Sequence, residues 1–372
     1  MKIALLGGYA PSLINFRGSL VRAMLEQGHE VVAMAPPFSP SPGPQLEAMG
    51  ARYREIPLNR RGLNPLSDLG SLLTLKRMFR EIAPDAVLSY TIKPVVYGSL
   101  AAKLAGVPAI YSMITGLGYA FTEDAGMKRR LIFNLVRGLY AAGLRPNQAV
   151  FFQNSDDLAF FKKLGVVPEG MRTEVTDGTG VDLDHYAYSE PPQGPPVFLC
   201  LSRFLRSKGV EHFLEASERL KKRFPEAIFR LAGSPEQGRD ALGEDEIREW
   251  KRRTGAEVLD PVEDVRPLLS GCTVYVLPSY REGVPRSVLE AMSTGRAVIT
   301  TDAPGCRLTV EDGVNGCLIP PRDTDALEQA MLRMIEAPET VREMGRRSRE
   351  IAERRFDVHR VNELILETMG AA

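Results

Sequence analysis

A chain of 372 residues, 44% hydrophobic and 25% charged, has the composition of a soluble globular protein with room for two α/β domains. Lysine plus arginine and aspartate plus glutamate both number 47, so the formal net charge is zero and nucleic-acid binding is not expected. The four cysteines, Cys200, Cys272, Cys306 and Cys317, form no CxxC pair and no metal-ligand spacing, so buried free thiols in a reducing cytoplasm are expected and a metal site is not.

The apolar run Ile3 to Leu6 ends at Gly7-Gly8, too short for the apolar region of a signal peptide, and no run of eighteen apolar residues follows. These features predict a cytoplasmic protein that does not span a membrane. The opening reads as a buried strand, a glycine turn, a helix carrying Leu20, Val21, Met24 and Leu25, and a second strand from Glu30 to Ala33. A helix over 69–82, a strand over 86–89, a small-residue helix around 98–105 and a strand over 109–113 continue the alternation. Such alternation predicts a parallel sheet covered by helices.

PPQGPP, from Pro191 to Pro196, continues neither a helix nor a central strand, and a fresh buried strand, 197–201, follows it. A domain boundary is placed there. The second half repeats the plan, with strands over 227–232, 258–259, 274–277 and 297–300 and a helix over about 210–223. The prediction is an α/β chain with two doubly wound Rossmann-like domains, 1–190 and 191–355. A last helix, within 356–372, is expected to cross back to the first domain.

In open α/β sheets ligands sit at the carboxyl ends of the strands, so the loops after Leu6, Met113, Leu201, Ala232 and Leu277 carry the chemistry. The loop after Leu277 is the most informative. Pro278 ends the strand, Glu282 lies in the loop, Pro285 suits the first position of a helix, and Gly295 suits its stop. Free backbone N–H groups over 284–287, with the positive end of the helix dipole, make a site for a phosphate. Glu282 and Glu290 flank it; by spacing alone they also fit a solvated loop residue and an exposed helix residue. Arg203 and Lys208, around the turn after strand 197–201, can point at one pyrophosphate. Gly7 and Gly8 stand where a backbone can approach a ligand closely, although a structural turn explains them equally. Asn15, Arg17 and Lys93, in or after first-domain loops, are candidates for holding a diphosphate, although basic residues are common on a surface. Segment 127–145 holds Lys128, Arg129, Arg130, Arg137 and Arg145 and no acid, interleaved with apolar residues, as a basic amphipathic helix resting on anionic lipid would. Arg60-Arg61 and Lys76-Arg77 extend that patch, and a core-packed helix with a solvated basic face is the alternative.

Glu282 and Glu290 within EGVPRSVLEAMSTGRAVITTDAPG, followed by EDGVNGCLI, resemble the donor domain of retaining family 4 glycosyltransferases of the GT-B fold. LSRFLRSKGVEHFLEA resembles the same family's diphosphate-binding segment. The resemblance implies that Glu282 contacts the transferred sugar, Glu290 the ribose, and Arg203 and Lys208 the donor diphosphate, with Gly7, Gly8, Gly283, Val284, Pro285 and Arg286 around the donor. The segments GGYAPSLINFRG and SYTIKPVVYGSLAAKLAGVPAIYSMITGLGY are similar to a subgroup that adds N-acetylhexosamines or related sugars to polyprenyl-diphosphate-linked saccharides in glycan assembly. A UDP-sugar is then the substrate and no cofactor or metal is implied. The resemblance puts 1–190 on the acceptor side of a cleft, with Asn15, Arg17 and Lys93 toward the acceptor's diphosphate, and 191–355 on the donor side. The basic segment 127–145 adds peripheral attachment to the inner face of the membrane as an expectation.

Two positions depart from the family. Thr115-Gly116 stands where many members carry His-Gly, and none of His29, His185, His212 or His359 falls in that loop, so Thr115 offers only a hydroxyl. Leu308 stands where the subgroup has Glu. Asp182-Leu183-Asp184, the only Asp-x-Asp triplet, follows a glycine turn and not a strand end. A nucleotide-sugar epimerase and a non-catalytic nucleotide-sugar binder are the alternative readings, and the absence of GxGxxG after the first strand argues against a nicotinamide oxidoreductase.

Overall fold

A computed structural model describes residues 1–59, 65–117, 127–236, 238 and 240–372. It divides into two units, Met1–Thr179 with His359–Ala372, and Gly180–Val358.

The first unit is built on seven parallel strands: β1 (Lys2–Leu6), β2 (Glu30–Ala35), β3 (Arg52–Glu55), β4 (Ala86–Tyr90), β5 (Ala109–Ile114), β6 (Ala149–Phe152) and β7 (Arg172–Val175), in the order β3-β2-β1-β4-β5-β6-β7. The central strands read as near-continuous apolar runs because both faces are covered. Ile3, Leu5 and Leu88 turn to one face, where the helix Gly18–Glu26 supplies Leu20, Val21 and Met24. Ala4, Leu6 and Val87 turn to the other, against Leu75 and Phe79 of the helix Pro65–Ile82. The register Leu6–Ser89–Ser112 carries that second face across to Ile114 and Phe152, where Val136 and Tyr140 of the helix Met127–Leu144 pack. The end of the chain belongs to this unit. In the helix Val358–Met369, Val361, Ile365 and Leu366 join the first face; Asn362 Nδ2 donates to Ser19 Oγ at 3.0 Å, and Tyr111 donates its hydroxyl to the Met369 carbonyl at 3.1 Å.

The second unit has six parallel strands, β8 (Val197–Leu201), β9 (Ile228–Ala232), β10 (Glu257–Leu259), β11 (Val274–Leu277), β12 (Ala297–Thr301) and β13 (Gly316–Ile319), ordered β10-β9-β8-β11-β12-β13. The units divide ahead of the proline-rich stretch, because residues 180–190 pack into the second unit. Val181 and Tyr186 are buried in its core, and Val181 exchanges backbone hydrogen bonds with Phe356 and Val358 at 2.8 and 3.1 Å. A fully buried Arg296 fastens the same segment, donating to the carbonyls of Ser189 (2.8 Å) and Leu269 (2.7 Å).

In both sheets the strand order reverses beside the first strand of the unit, between β1 and β4 and between β8 and β11, which is where an open α/β sheet leaves a crevice at its carboxyl edge. Among the described residues no helix is long and apolar enough to cross a membrane. All four cysteines are buried free thiols, and burial pushes Cys200, Cys272 and Cys306 up to about 12.

Candidate functional site

At the carboxyl edge of the second sheet the loops after β8, β9, β11 and β12 interlock through backbone contacts that glycine alone permits. After β8 the chain makes a 3-10 turn, Arg206–Lys208, closed by Gly209 at φ +70°, and a Cβ there would lie 2.1 Å from the Pro278 carbonyl oxygen. Gly305, at φ +79°, lies so close to the β11 loop that a Cβ would sit 2.2 Å from the Gly283 oxygen. Hydrogen bonds hold the same arrangement: Tyr280 N–H to the Ser207 carbonyl at 2.9 Å, and Glu282 N–H to the Pro304 carbonyl at 3.0 Å. Asp240 accepts from the Ser207 N–H at 3.1 Å, which fixes the turn from the far side.

This framework brings Lys208 and Glu282 together. The Lys208 ammonium donates to Glu282 Oε1, and both side chains are only 16% exposed. With so little water around them, each of the two charges would be costly alone, and their pairing offsets that desolvation. Arg203 is elsewhere: it is half exposed and paired with Glu236 at 3.3 Å.

The β11 loop runs into the helix Arg286–Ser293. Pro285, expected as its first residue, instead precedes it with an extended ψ of 108°, so that its carbonyl accepts from the N–H groups of Val288 (3.0 Å) and Leu289 (3.3 Å). Pro285 supplies no side-chain cap to this helix, and the start of a helix is in general a place where backbone N–H groups meet anions. The stop at Gly295, φ +84°, is as the sequence predicts. Glu290 is not an exposed helix residue but only 7% exposed, held by Arg286 Nε at 2.8 Å. Burial pushes its carboxyl above the usual range, and Arg286 and Tyr186 draw it partly back. Beside the loop, His212 bridges the Tyr280 hydroxyl (2.9 Å) and Thr324 (2.7 Å), and the Arg322 guanidinium lies 4.7 Å from the Tyr280 ring centre. Leu308 packs against the core under this face.

In the first unit, Gly7 and Gly8 end β1 against β4, where a Cβ on Gly7 would lie 2.4 Å from the Tyr90 hydroxyl and one on Gly8 2.5 Å from Thr91 Oγ1. Close packing is therefore a sufficient reason for both glycines. Thr115 and Gly116 follow β5, half-buried, with Gly116 at φ +132°. Asn15 is exposed at the end of the helix Ser12–Asn15. Arg17 and Lys93 are not surface cations: Arg17 is buried with its guanidinium 5.0 Å from the Tyr90 ring centre, and Lys93 donates to Asp68 at 2.6 Å. Asp68, itself buried, also accepts from the Tyr97 hydroxyl at 3.0 Å. On the helix Met127–Leu144, Val136, Tyr140 and Leu144 face the core while Arg130, Leu131, Ile132, Leu135 and Arg137 are exposed. On the helix Pro65–Ile82, Leu66, Leu69 and Leu73 are exposed in line with Arg77 and Arg80. Arg60 and Arg61, and the side chains of Lys128 and Arg129, lie outside the described residues.

Two family models match the chain: "Glycosyl transferase 4-like domain" over residues 15–173 and "Glycosyl transferases group 1" over residues 195–337. One relative, the N,N'-diacetylbacillosaminyl-diphospho-undecaprenol alpha-1,3-N-acetylgalactosaminyltransferase of Campylobacter jejuni, is 27% identical over 349 residues, covering 90% of each chain. Another, the UDP-Gal:alpha-D-GlcNAc-diphosphoundecaprenol alpha-1,3-galactosyltransferase of Escherichia coli, is 26% identical over 76% of this chain and 74% of its own. Among solved structures, sucrose-phosphate synthase from Thermosynechococcus elongatus superposes with a TM-score of 0.82 at 18% identity, and Anabaena HepE in complex with UDP with 0.78 at 20% identity, each over the whole of both chains. At such identities the structural likeness speaks for the fold.

Proposed function

The chain belongs to the retaining family 4, group 1 glycosyltransferases of the GT-B fold, and on that premise we propose that it moves an N-acetylhexosamine, GalNAc or GlcNAc, from a UDP-sugar to a hydroxyl of a polyprenyl-diphosphate-linked saccharide. Members of this family take a sugar nucleotide as substrate and need no metal ion. The observation that carries the reading is the contact between Lys208 and Glu282 at the carboxyl edge of the second sheet, beside an uncapped helix start. The choice of acceptor is supported by the two relatives, both named for transfer to undecaprenyl-diphosphate-linked sugars.

In this reading the donor diphosphate lies on the helix start at 284–287. Lys208 exchanges its carboxylate for a phosphate oxygen and Arg203 swings to the other side. Glu282, released, accepts hydrogen bonds from the sugar hydroxyls, and Glu290 accepts those of the ribose. The acceptor hydroxyl attacks the anomeric carbon as the bond to the diphosphate oxygen breaks, and the departing phosphate oxygen takes the acceptor's proton. No histidine is required, and Thr115 contributes a hydroxyl near the reacting sugar. Gly7 and Gly8 stay assigned to the donor by resemblance, and Asn15, Arg17 and Lys93 to the acceptor's diphosphate.

Incubation with UDP-GalNAc or UDP-GlcNAc, with and without a polyprenyl-diphosphate saccharide, tests the reading. The expected result is UDP release and an extended lipid-linked saccharide only when both are present. Epimerised donor without acceptor would make the protein an epimerase, and binding without turnover a sugar-nucleotide binder.

We assign the exposed sides of Met127–Leu144 and Pro65–Ile82 to an anionic membrane surface. Both helices cover the same face of the first sheet and both turn leucines flanked by arginines outward, a pattern that a solvated basic face does not explain. At roughly 1 kcal/mol per basic residue, replacing Arg130 and Arg137 by Gln is expected to weaken binding to phosphatidylglycerol vesicles roughly 30-fold in co-sedimentation. Unchanged partitioning would remove this assignment.

A further inference from the structure

Tyr280 of the β11 loop, two residues before Glu282, is held by three other segments of the second unit. Its N–H donates to the Ser207 carbonyl at 2.9 Å, its hydroxyl meets His212 Nε2 at 2.9 Å, and the Arg322 guanidinium lies 4.7 Å from its ring centre. His212 stands in the first turn of the helix Val210–Arg223, which begins at Gly209, directly after Lys208. Arg322 follows β13 with a left-handed backbone at φ +64°, a conformation that a non-glycine residue adopts only at a cost. Thr324, two residues on, opens the helix Thr324–Glu336, and its Oγ1 lies 2.7 Å from His212 Nδ1.

The direction of these hydrogen bonds follows from the groups themselves. The Glu215 carboxylate, paired with Arg219 at 2.7 Å, can only accept, so Thr324 Oγ1 donates to it at 3.4 Å. The Thr324 oxygen is then the acceptor for the Nδ1–H of His212, and Nε2 of that tautomer accepts from the Tyr280 hydroxyl. Burial pushes the Tyr280 phenol above its ordinary range, with Arg322 drawing it partly back, so the phenol keeps the proton it donates. A one-way chain therefore runs from Tyr280 through His212 and Thr324 to Glu215.

We propose that His212 is a positioning residue for sugar transfer: by accepting from the Tyr280 hydroxyl it fixes the β11 loop so that Glu282 stands against Lys208. This rests on the donor reading of Glu282. The loop meets the segment 207–212 twice through side chains, Glu282 on Lys208 and Tyr280 on His212. One such contact lets a loop pivot, and two set its orientation. When the donor diphosphate takes Lys208 from Glu282, the contact with His212 is the one that remains to hold the loop in place.

The test is Tyr280→Phe in the full chain, which keeps the ring beside Arg322 and removes only the hydroxyl. Loss of this one hydrogen bond corresponds to roughly a tenfold fall in kcat in single-turnover transfer, with UDP affinity and melting temperature held. His212→Ala should lose the same, the double variant no more than either, and His212→Gln, whose amide oxygen can accept from the phenol, should restore most of the rate. In a Glu282→Ala background Tyr280→Phe adds no further loss. An unchanged kcat in Tyr280→Phe, additive losses in the double variant, or an equal loss in the Glu282→Ala background would overturn the proposal. Should Glu282→Ala itself be fully active, the donor reading of Glu282 falls first, and this inference with it.

Discussion

Glu282→Ala is expected to lower kcat by roughly a thousandfold while UDP still binds, the size of effect seen when a preorganised group acting in the transition state is removed. The side chain sits in the loop between β11 and the phosphate-binding helix start, paired with Lys208 and largely shielded from water. In the proposed reaction it meets the transferred sugar and not the nucleotide, so its loss falls on the chemical step. Removing it also frees the Lys208 ammonium, which can then hold the diphosphate without first giving up a carboxylate. UDP affinity should therefore be kept or improved. Glu282→Gln, which keeps a hydrogen-bonding side chain but not the charge, is expected to lie between the two. Single-turnover transfer, with calorimetric titration of UDP alongside, separates these effects. A fully active Glu282→Ala enzyme would remove the residue from the mechanism, and loss of UDP binding would move it to the nucleotide.

The fold was legible where burial on two faces forces continuous apolar runs, as in β1, β4, β5, β8, β11 and β12. It was not legible at the sheet edges. β3 reads RYRE and β7 reads RTEV, polar sequences whose strand pairing is decided by a neighbour and not by their own pattern. β6 and β13 are four residues each, but so is β11, which is legible, so length alone does not decide it. The donor-side residues could be found because a parallel sheet gathers its loops at one edge, and because Pro285 and Gly295 bracket the helix that carries Glu290. What the sequence did not disclose is who pairs with whom. Lys208 and Glu282 are 74 residues apart, and Lys93 and Asp68 are 25 apart. Arg203, grouped with Lys208 by proximity in sequence, turns to Glu236 because the 3-10 turn between them sends the two side chains different ways. Loop packing makes these choices, and it leaves no local periodicity to read.

Gly209→Ala is expected to lower kcat/KM roughly 100-fold, which is the cost of misplacing a reacting group by about an ångström. Two penalties meet at this position. The left-handed backbone at φ +70° costs an L-residue roughly 1–2 kcal/mol, and the new methyl would stand 2.1 Å from the Pro278 carbonyl oxygen, which is backbone and cannot rotate away. The two loops have to part, and Lys208, the residue before Gly209, moves with the turn away from Glu282. Gly255→Ala isolates the first penalty: that glycine ends the helix Glu244–Thr254 at φ +65°, and a methyl added there would meet nothing within 4 Å. It should lose only the stability owed to the left-handed backbone, roughly 1–2 kcal/mol in denaturant titration, and keep its activity. Gly209→Ala should lose more of both. If the two variants lost equal stability and retained equal kcat/KM, the contact between the β8 and β11 loops would not be what sets Lys208 against Glu282, and the origin of that pairing would have to be sought in the side chains alone.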